Sequence, residues 1–169
     1  SKRLKKNWPS DLKEKKENVK MIIIRDIQEK VGYWEFEKYD ECEGCIDQHL
    51  ETGDYQIYNS KKIVVDRKKT TGELSTNLGT KFKQFENECR RMKEFEQRFI
   101  ICEFSLKTII KYPKNSRIPR NKLKYIKMNP KFMLNQINKL EEEYNVKFIF
   151  CKNKQDAEQT ALELFKKVE

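Results

Sequence analysis

Apolar and polar positions alternate along this chain in a pattern that shifts partway. Met21-Ile22-Ile23-Ile24 is a short unbroken apolar run, which suits a strand buried on both faces. Gly53-Asp54-Tyr55-Gln56-Ile57-Tyr58 and Lys62-Ile63-Val64-Val65-Asp66 flank a polar Asn59-Ser60, and two β-rich runs around such a turn predict a hairpin. Residues 33–50 are mixed, with a short helix expected around Ile46–Leu50. Further on, Phe82, Phe85, Cys89, Met92 and Phe95 recur at helical spacing. Phe99-Ile100-Ile101-Cys102 reads as another buried strand. Asn129-Pro130 then supplies an N-cap and a first-turn proline to a helix carrying Met133, Ile137, Leu140 and Tyr144. Val146 to Phe150 predicts a strand, and Ala157, Ala161, Leu164, Phe165 and Val168 line a final helix. Strands alternating with helices imply an α/β fold with a mixed, largely parallel central sheet flanked by helices.

Composition and charge sharpen this outline. Charged residues make up 38% of the 169 and apolar ones only 37%, so one segment is expected to be solvated rather than packed. No run approaches the ~18 apolar residues of a membrane span, and the charged first residues contain no apolar signal segment. Five cysteines without regular spacing suit a reducing compartment. The expectation from these features is an intracellular compartment, with no membrane partner.

The net charge of +10 is concentrated in two places. Residues 1–20 hold eight basic and three acidic groups and read as a flexible basic arm. Residues 104–131 hold nine basic groups and no acid, and with Pro113, Pro119 and Pro130 they read as a long basic loop. Basic groups there are interleaved with Tyr112 and Tyr125, a mixture that can track a phosphate backbone and stack a base. Arg117, Arg120, Lys122 and Lys124 are the candidate DNA contacts in this loop.

The candidate chemistry sits on the hairpin. Asp54 begins one strand and Asp66 closes the next, so a short return can set the two carboxylates side by side. Such a pair repels unless a cation lies between. Hard oxygen ligands suit Mg²⁺. Lys68, two residues past Asp66, shares its face of the strand and would add a fixed positive charge. Asp26 and Glu29, at the end of the first strand, can complete the shell. On the Asp54, Asp66, Lys68 triplet alone, a hairpin with exposed charged ends is the plainer reading.

The neighbouring residues change the weighing. Ile24-Arg25-Asp26-Ile27-Gln28-Glu29, then Gly53-Asp54-Tyr55, then Ile63-Val64-Val65-Asp66-Arg67-Lys68-Lys69, resembles the XPF-type nuclease domain of the PD-(D/E)xK superfamily. The likeness continues through Glu73-Leu74, Asn77-Leu78, Gly79–Phe82 and Ile100–Phe104, and spans roughly 21–168. The resemblance implies a restriction-endonuclease-like core over 21–169 and a Mg²⁺- or Mn²⁺-dependent DNA endonuclease acting on branched or flapped DNA in repair or recombination, in a cytoplasmic, nucleoid-associated or other intracellular DNA-containing compartment. Asp26, Asp54 and Asp66 would be metal ligands, Glu29 would lie in or beside their shell, and Lys68 would be the catalytic lysine. Arg67 and Lys69 would face DNA. Gln28, Asp66 and Lys69 stand where the family usually has arginine, glutamate and serine. The resemblance also implies a homodimer, with a seam at the final helix and the Phe99–Cys102 side of the sheet. The alternative is a non-catalytic DNA-binding or scaffold subunit, but such subunits lose the acids that are retained here.

Cys42-x-x-Cys45 with His49 invites zinc, but a structural site needs four ligands and no second Cys/His pair follows at matched spacing.

Overall fold

The computed structural model describes residues 20–115 and 117–169; the basic arm expected over 1–20 lies outside them apart from Lys20. Six strands form one mixed sheet: β1 (Met21–Asp26), β2 (Cys42–Gln48), β3 (Tyr55–Ile57), β4 (Ile63–Lys68), β5 (Gln97–Cys102) and β6 (Lys147–Phe150). Their spatial order is β2-β1-β3-β4-β5-β6. β3 runs antiparallel to both of its neighbours, while β1–β2, β4–β5 and β5–β6 are parallel. The mixed α/β sheet flanked by helices agrees with the expected class.

Period-two alternation divides the core between the two faces of the sheet. One face carries Ile23, Tyr55, Ile63, Val65, Phe99 and Ile101. Trp34, Phe36 and the helix Lys154–Val168 (α6 below) cover it. The other face carries Val64, Ile100, Cys102 and Phe148. Helices α1 (Thr71–Leu78), α2 (Phe82–Arg91) and α5 (Pro130–Tyr144) pack there through Leu74, Leu78, Phe85, Cys89, Met133 and Leu140. The Asn129 side chain accepts from Phe132 N at 2.9 Å, so the predicted cap holds α5. Thr70 caps α1 by accepting from Glu73 N at 3.1 Å.

Three expectations need correction. The short helix around Ile46–Leu50 is absent: residues up to Gln48 belong to β2, the strand at one edge of the sheet. An edge strand with mostly solvent-facing side chains shows no clean alternation, which explains why it does not read as a strand. Residues 104–131 are not one loop, because they contain α3 (Leu106–Ile110) and α4 (Arg120–Leu123). Tyr112, Ile118, Ile126 and Met128 pin this segment to the α1/α5 side of the core. Finally, β5 itself offers no surface to a dimer seam, which on that side of the sheet leaves the final helix and the edge strand β6. β5 lies inside the sheet between β4 and β6, and Phe99, Ile100, Ile101 and Cys102 are fully buried.

Candidate active site

Strand register assembles the site. Arg25 pairs with Tyr55, and Tyr55 with Val65. One step along the same register, Asp26, Asp54 and Asp66 become cross-strand neighbours on β1, the start of β3, and β4. Two backbone bonds tie this row, from Asp26 N to Asp54 O (2.9 Å) and from Asp54 N to Val65 O (2.8 Å). Direct neighbours on one face have Cβ atoms about 4.5–5.5 Å apart. Three acids meet because the chain reverses twice around β3. Gly53 makes the entry to β3 with φ +71°, and a Cβ there would come within 2.5 Å of Val64 Cγ2.

The row faces a cleft of about 760 Å³ at this end of the sheet. Asp66 is buried, and its Oδ2 lies 3.0 Å from Lys68 Nζ. Beyond this ion pair, Oδ2 has no hydrogen-bond partner among the described residues. Asp54 Oδ2 accepts from Arg67 N at 2.7 Å, and Asp26 Oδ1 from Leu50 N at 3.0 Å. Lys68 projects to the same face, with Nζ 4.6 Å from the centre of the Phe85 ring. Burial opposes its charge, but Asp66, Glu73 and Asp54 outweigh that and hold its pKa above the usual lysine value. Lys68 is therefore a standing cation.

Arg67 has a different position from the one expected. Alternation turns it to the opposite face, away from Asp66 and Lys68. Its Nη1 donates to Glu29 Oε2 (2.7 Å), its Nε and Nη2 to Glu103 (2.8 and 3.1 Å), and Nη2 also to Gly32 O (2.7 Å). The Trp34 indole donates to Glu103 at 2.7 Å, and the Tyr55 hydroxyl to Glu29 at 3.0 Å. Arg67 is thus consumed in a buried network and cannot offer its guanidinium to DNA. Glu29 lines the cleft but is tied to Arg67, so it stands beside the aspartate row with one oxygen engaged. Arg67→Ala should destabilise the fold by about 3–5 kcal/mol, because two largely buried carboxylates lose their counter-charge. Urea unfolding of that variant measures the loss, and a change below about 1 kcal/mol would contradict the network.

The remaining candidates are surface groups. Lys69 is exposed at the rim of the cleft. Arg117, Arg120, Lys122 and Lys124 are exposed on the anchored basic segment. That segment leaves β5 at the same end of the sheet as the aspartate row, as the parallel pairing of Lys68 with Cys102 requires. His49, Gln28 and Glu51 also line the cleft. Cys42 lies in β2 with its Sγ donating to Gly44 O at 3.0 Å.

Sequence reasoning missed two lining residues, Glu88 and Arg91, both on α2. Glu88 follows Phe85 by three, so the flank of the apolar stripe marked it as facing the sheet. Its Oε1 accepts from Gly53 N at 3.3 Å.

The acids strain one another. Burial first, then the charges of Asp66 and Glu29, push Asp54 well above the ordinary carboxylate value. Burial and Asp66 push Glu88 up to about 7. Folded protein therefore holds protons that unfolded chain has released, from the ordinary carboxylate range up to about pH 7. In that window the unfolded state binds fewer protons, so stability falls as pH rises. Glu41 and Glu158, whose values are lowered, are ionised in both states there and do not oppose this slope. In EDTA the melting temperature should drop between about pH 5.5 and about pH 8, and less so in Glu88→Gln. A flat profile would contradict the crowding of these acids.

The donor set suits a hard divalent cation: buried carboxylates in a row, one oxygen without a hydrogen bond, and mutual repulsion that a cation would relieve. Among the described residues no group of three or more Asp, Glu, His or Cys side chains forms a ready-made ligand cluster. Mg²⁺ needs only one or two carboxylates and keeps several waters, so the row is compatible with it.

A family model described as the ERCC4 domain matches residues 12–163. No curated protein matches the sequence. Among solved structures, XPF from Aeropyrum pernix in complex with DNA is similar, with a TM-score of 0.59 at 18% identity over 85% of this chain. A second structure of XPF from that organism gives 0.54 at 15% identity over 86%. The chain spans 62% of the length of each of those proteins.

Proposed function

We propose that this chain, which belongs to the ERCC4 domain family, is a divalent-metal-dependent endonuclease that hydrolyses phosphodiester bonds at branched or flapped DNA, in repair or recombination. The family and the fold support a DNA nuclease. The observation that carries the finer reading is the row of Asp26, Asp54 and Asp66 across three strands, with Lys68 on the same face. Asp54 and Asp66 would hold the cation, with Asp26 at the end of the row. When bound, Mg²⁺ or Mn²⁺ lowers the pKa of a coordinated water and offsets charge on the scissile phosphate.

The chain's own groups do the rest. Lys68 keeps a fixed positive charge beside the row, where it can orient the attacking water or stabilise the pentavalent phosphate. Arg67 is a positioning residue that holds Glu29 and Glu103 on the far side of β4. Lys69 and the exposed basic segment neutralise flanking phosphates. A homodimer, if formed, needs a seam other than β5.

The test is a panel of labelled flap, fork, four-way junction, duplex and single-stranded DNAs, each with Mg²⁺ or EDTA. Cleavage confined to Mg²⁺ and strongest on the branched substrates is expected. Equal rates on duplex and branched DNA would remove the branch preference, and cleavage in EDTA would remove the metal.

A further inference from the structure

The cleft is over-supplied with acid. Seven carboxylates and four cations line it. Arg67 is already consumed by Glu29 and Glu103, and Lys68 is paired with Asp66. Like charges on facing elements destabilise a fold unless something of opposite charge joins them. Glu88 is the acid that the three-strand row does not explain. It approaches from α2, which packs on the face that carries Asp54 and Asp66. Among the described residues its hydrogen bond is to Oε1, the 3.3 Å contact from Gly53 N. That bond anchors the carboxylate at the residue preceding Asp54. In the same cleft, the buried Oδ2 of Asp66 lacks a hydrogen-bond donor among the described residues. Carboxylates from a sheet and from the helix above it thus line one cleft, around an Asp66 oxygen that is ion-paired with Lys68 yet makes no hydrogen bond among the described residues, and a cation would relieve their repulsion.

We propose that Glu88 is a metal-binding carboxylate of this site, completing from the helix side the set that Asp54 and Asp66 begin on the sheet. The inference rests on the metal-dependent reading above. It adds a residue that neither the D…D-x-K pattern nor the strand register supplies. A purely structural Glu88 would need only an acceptor for Gly53 N. Glutamine keeps that acceptor and removes the charge, so Glu88→Gln separates the two roles.

The experiment is Mn²⁺ titration of the full chain, read by the electron paramagnetic resonance of free Mn²⁺, on wild type, Glu88→Gln, Glu88→Asp and Asp66→Asn. Glu88→Gln should bind Mn²⁺ about 10–100-fold more weakly, the range seen when groups supporting a metal site are lost. Its melting temperature in EDTA should be no lower than that of wild type. Glu88→Asp keeps the charge and should bind more tightly than Glu88→Gln. Wild-type affinity in Glu88→Gln, alongside lost affinity in Asp66→Asn, would overturn the role of Glu88 and leave the metal site standing. Absent Mn²⁺ binding in wild type, or undiminished binding in Asp66→Asn, would overturn the metal reading and this inference with it.

Discussion

Asp66→Asn should lower the rate of DNA cleavage by at least about 10³-fold, or about 4 kcal/mol of transition-state stabilisation, while the fold and DNA affinity stay near wild type. Asparagine matches aspartate in size, so β4 keeps its packing between β3 and β5. What it removes is the negative charge at the end of the row, on the residue whose Oδ2 has no hydrogen bond among the described residues beyond its ion pair with Lys68. The effect should also appear without any turnover. In wild type, metal at ten times its Kd adds about 1.4 kcal/mol of stability, or about 3–6 °C for a chain of this size. That thermal shift should vanish in Asp66→Asn. Lys68→Ala should lose turnover and keep the shift, because its charge acts on water or phosphate rather than on the ion.

The second large effect concerns affinity. Replacing Arg117, Arg120, Lys122 and Lys124 together with alanine should weaken binding to every DNA sequence alike and flatten its salt dependence. All four are exposed on a segment with nine basic residues and no acid. Each phosphate neutralised on duplex contributes a slope of about −0.9 in log K against log salt. With half of the nine engaged, wild-type affinity should fall by roughly 10² between about 50 and 200 mM salt. The fourfold variant should lose up to about 3.6 from the slope. Anchoring of the segment by Tyr112, Ile118, Ile126 and Met128 strengthens this expectation, since a held segment loses less entropy on docking than a free loop. An unchanged slope would mean that DNA crosses another face.

Much of the site was legible because its signals are local. Gly53-Asp54 and Asp66 belong to one hairpin, so a short turn is enough to bring the two acids together. Asp26 joins them through the second antiparallel pairing, at the end of an apolar run that already read as a buried strand. The apolar stripes of α2, α5 and α6, and the Asn129 cap of α5, were equally plain in the sequence. What escaped depends on contacts remote along the chain. Arg67 reads as a surface charge until the parallel pairing of β4 with β5 brings Glu103 alongside, with Glu103 N bonded to Lys68 O at 2.9 Å. Alternation alone did place Arg67 opposite Asp66 and Lys68, and that was the available clue. β2 escaped because an edge strand reading Cys-Glu-Gly-Cys-Ile-Asp-Gln has little apolar pattern to display. Glu88 escaped because the carboxylates it faces lie more than twenty residues away in the chain, across a helix–sheet interface that no period in the sequence announces.

The central claim is that the row of Asp26, Asp54 and Asp66 makes this chain a metal-dependent nuclease rather than a DNA-binding scaffold. The most direct measurement is single-turnover cleavage of a labelled flap DNA, with protein in excess, by wild type and Asp66→Asn, each in Mg²⁺ and in EDTA. Cleavage by wild type in Mg²⁺ alone, with none from Asp66→Asn, is the predicted result. Tight binding of the flap by wild type without cleavage in Mg²⁺ or Mn²⁺, or equal cleavage by Asp66→Asn, would contradict it.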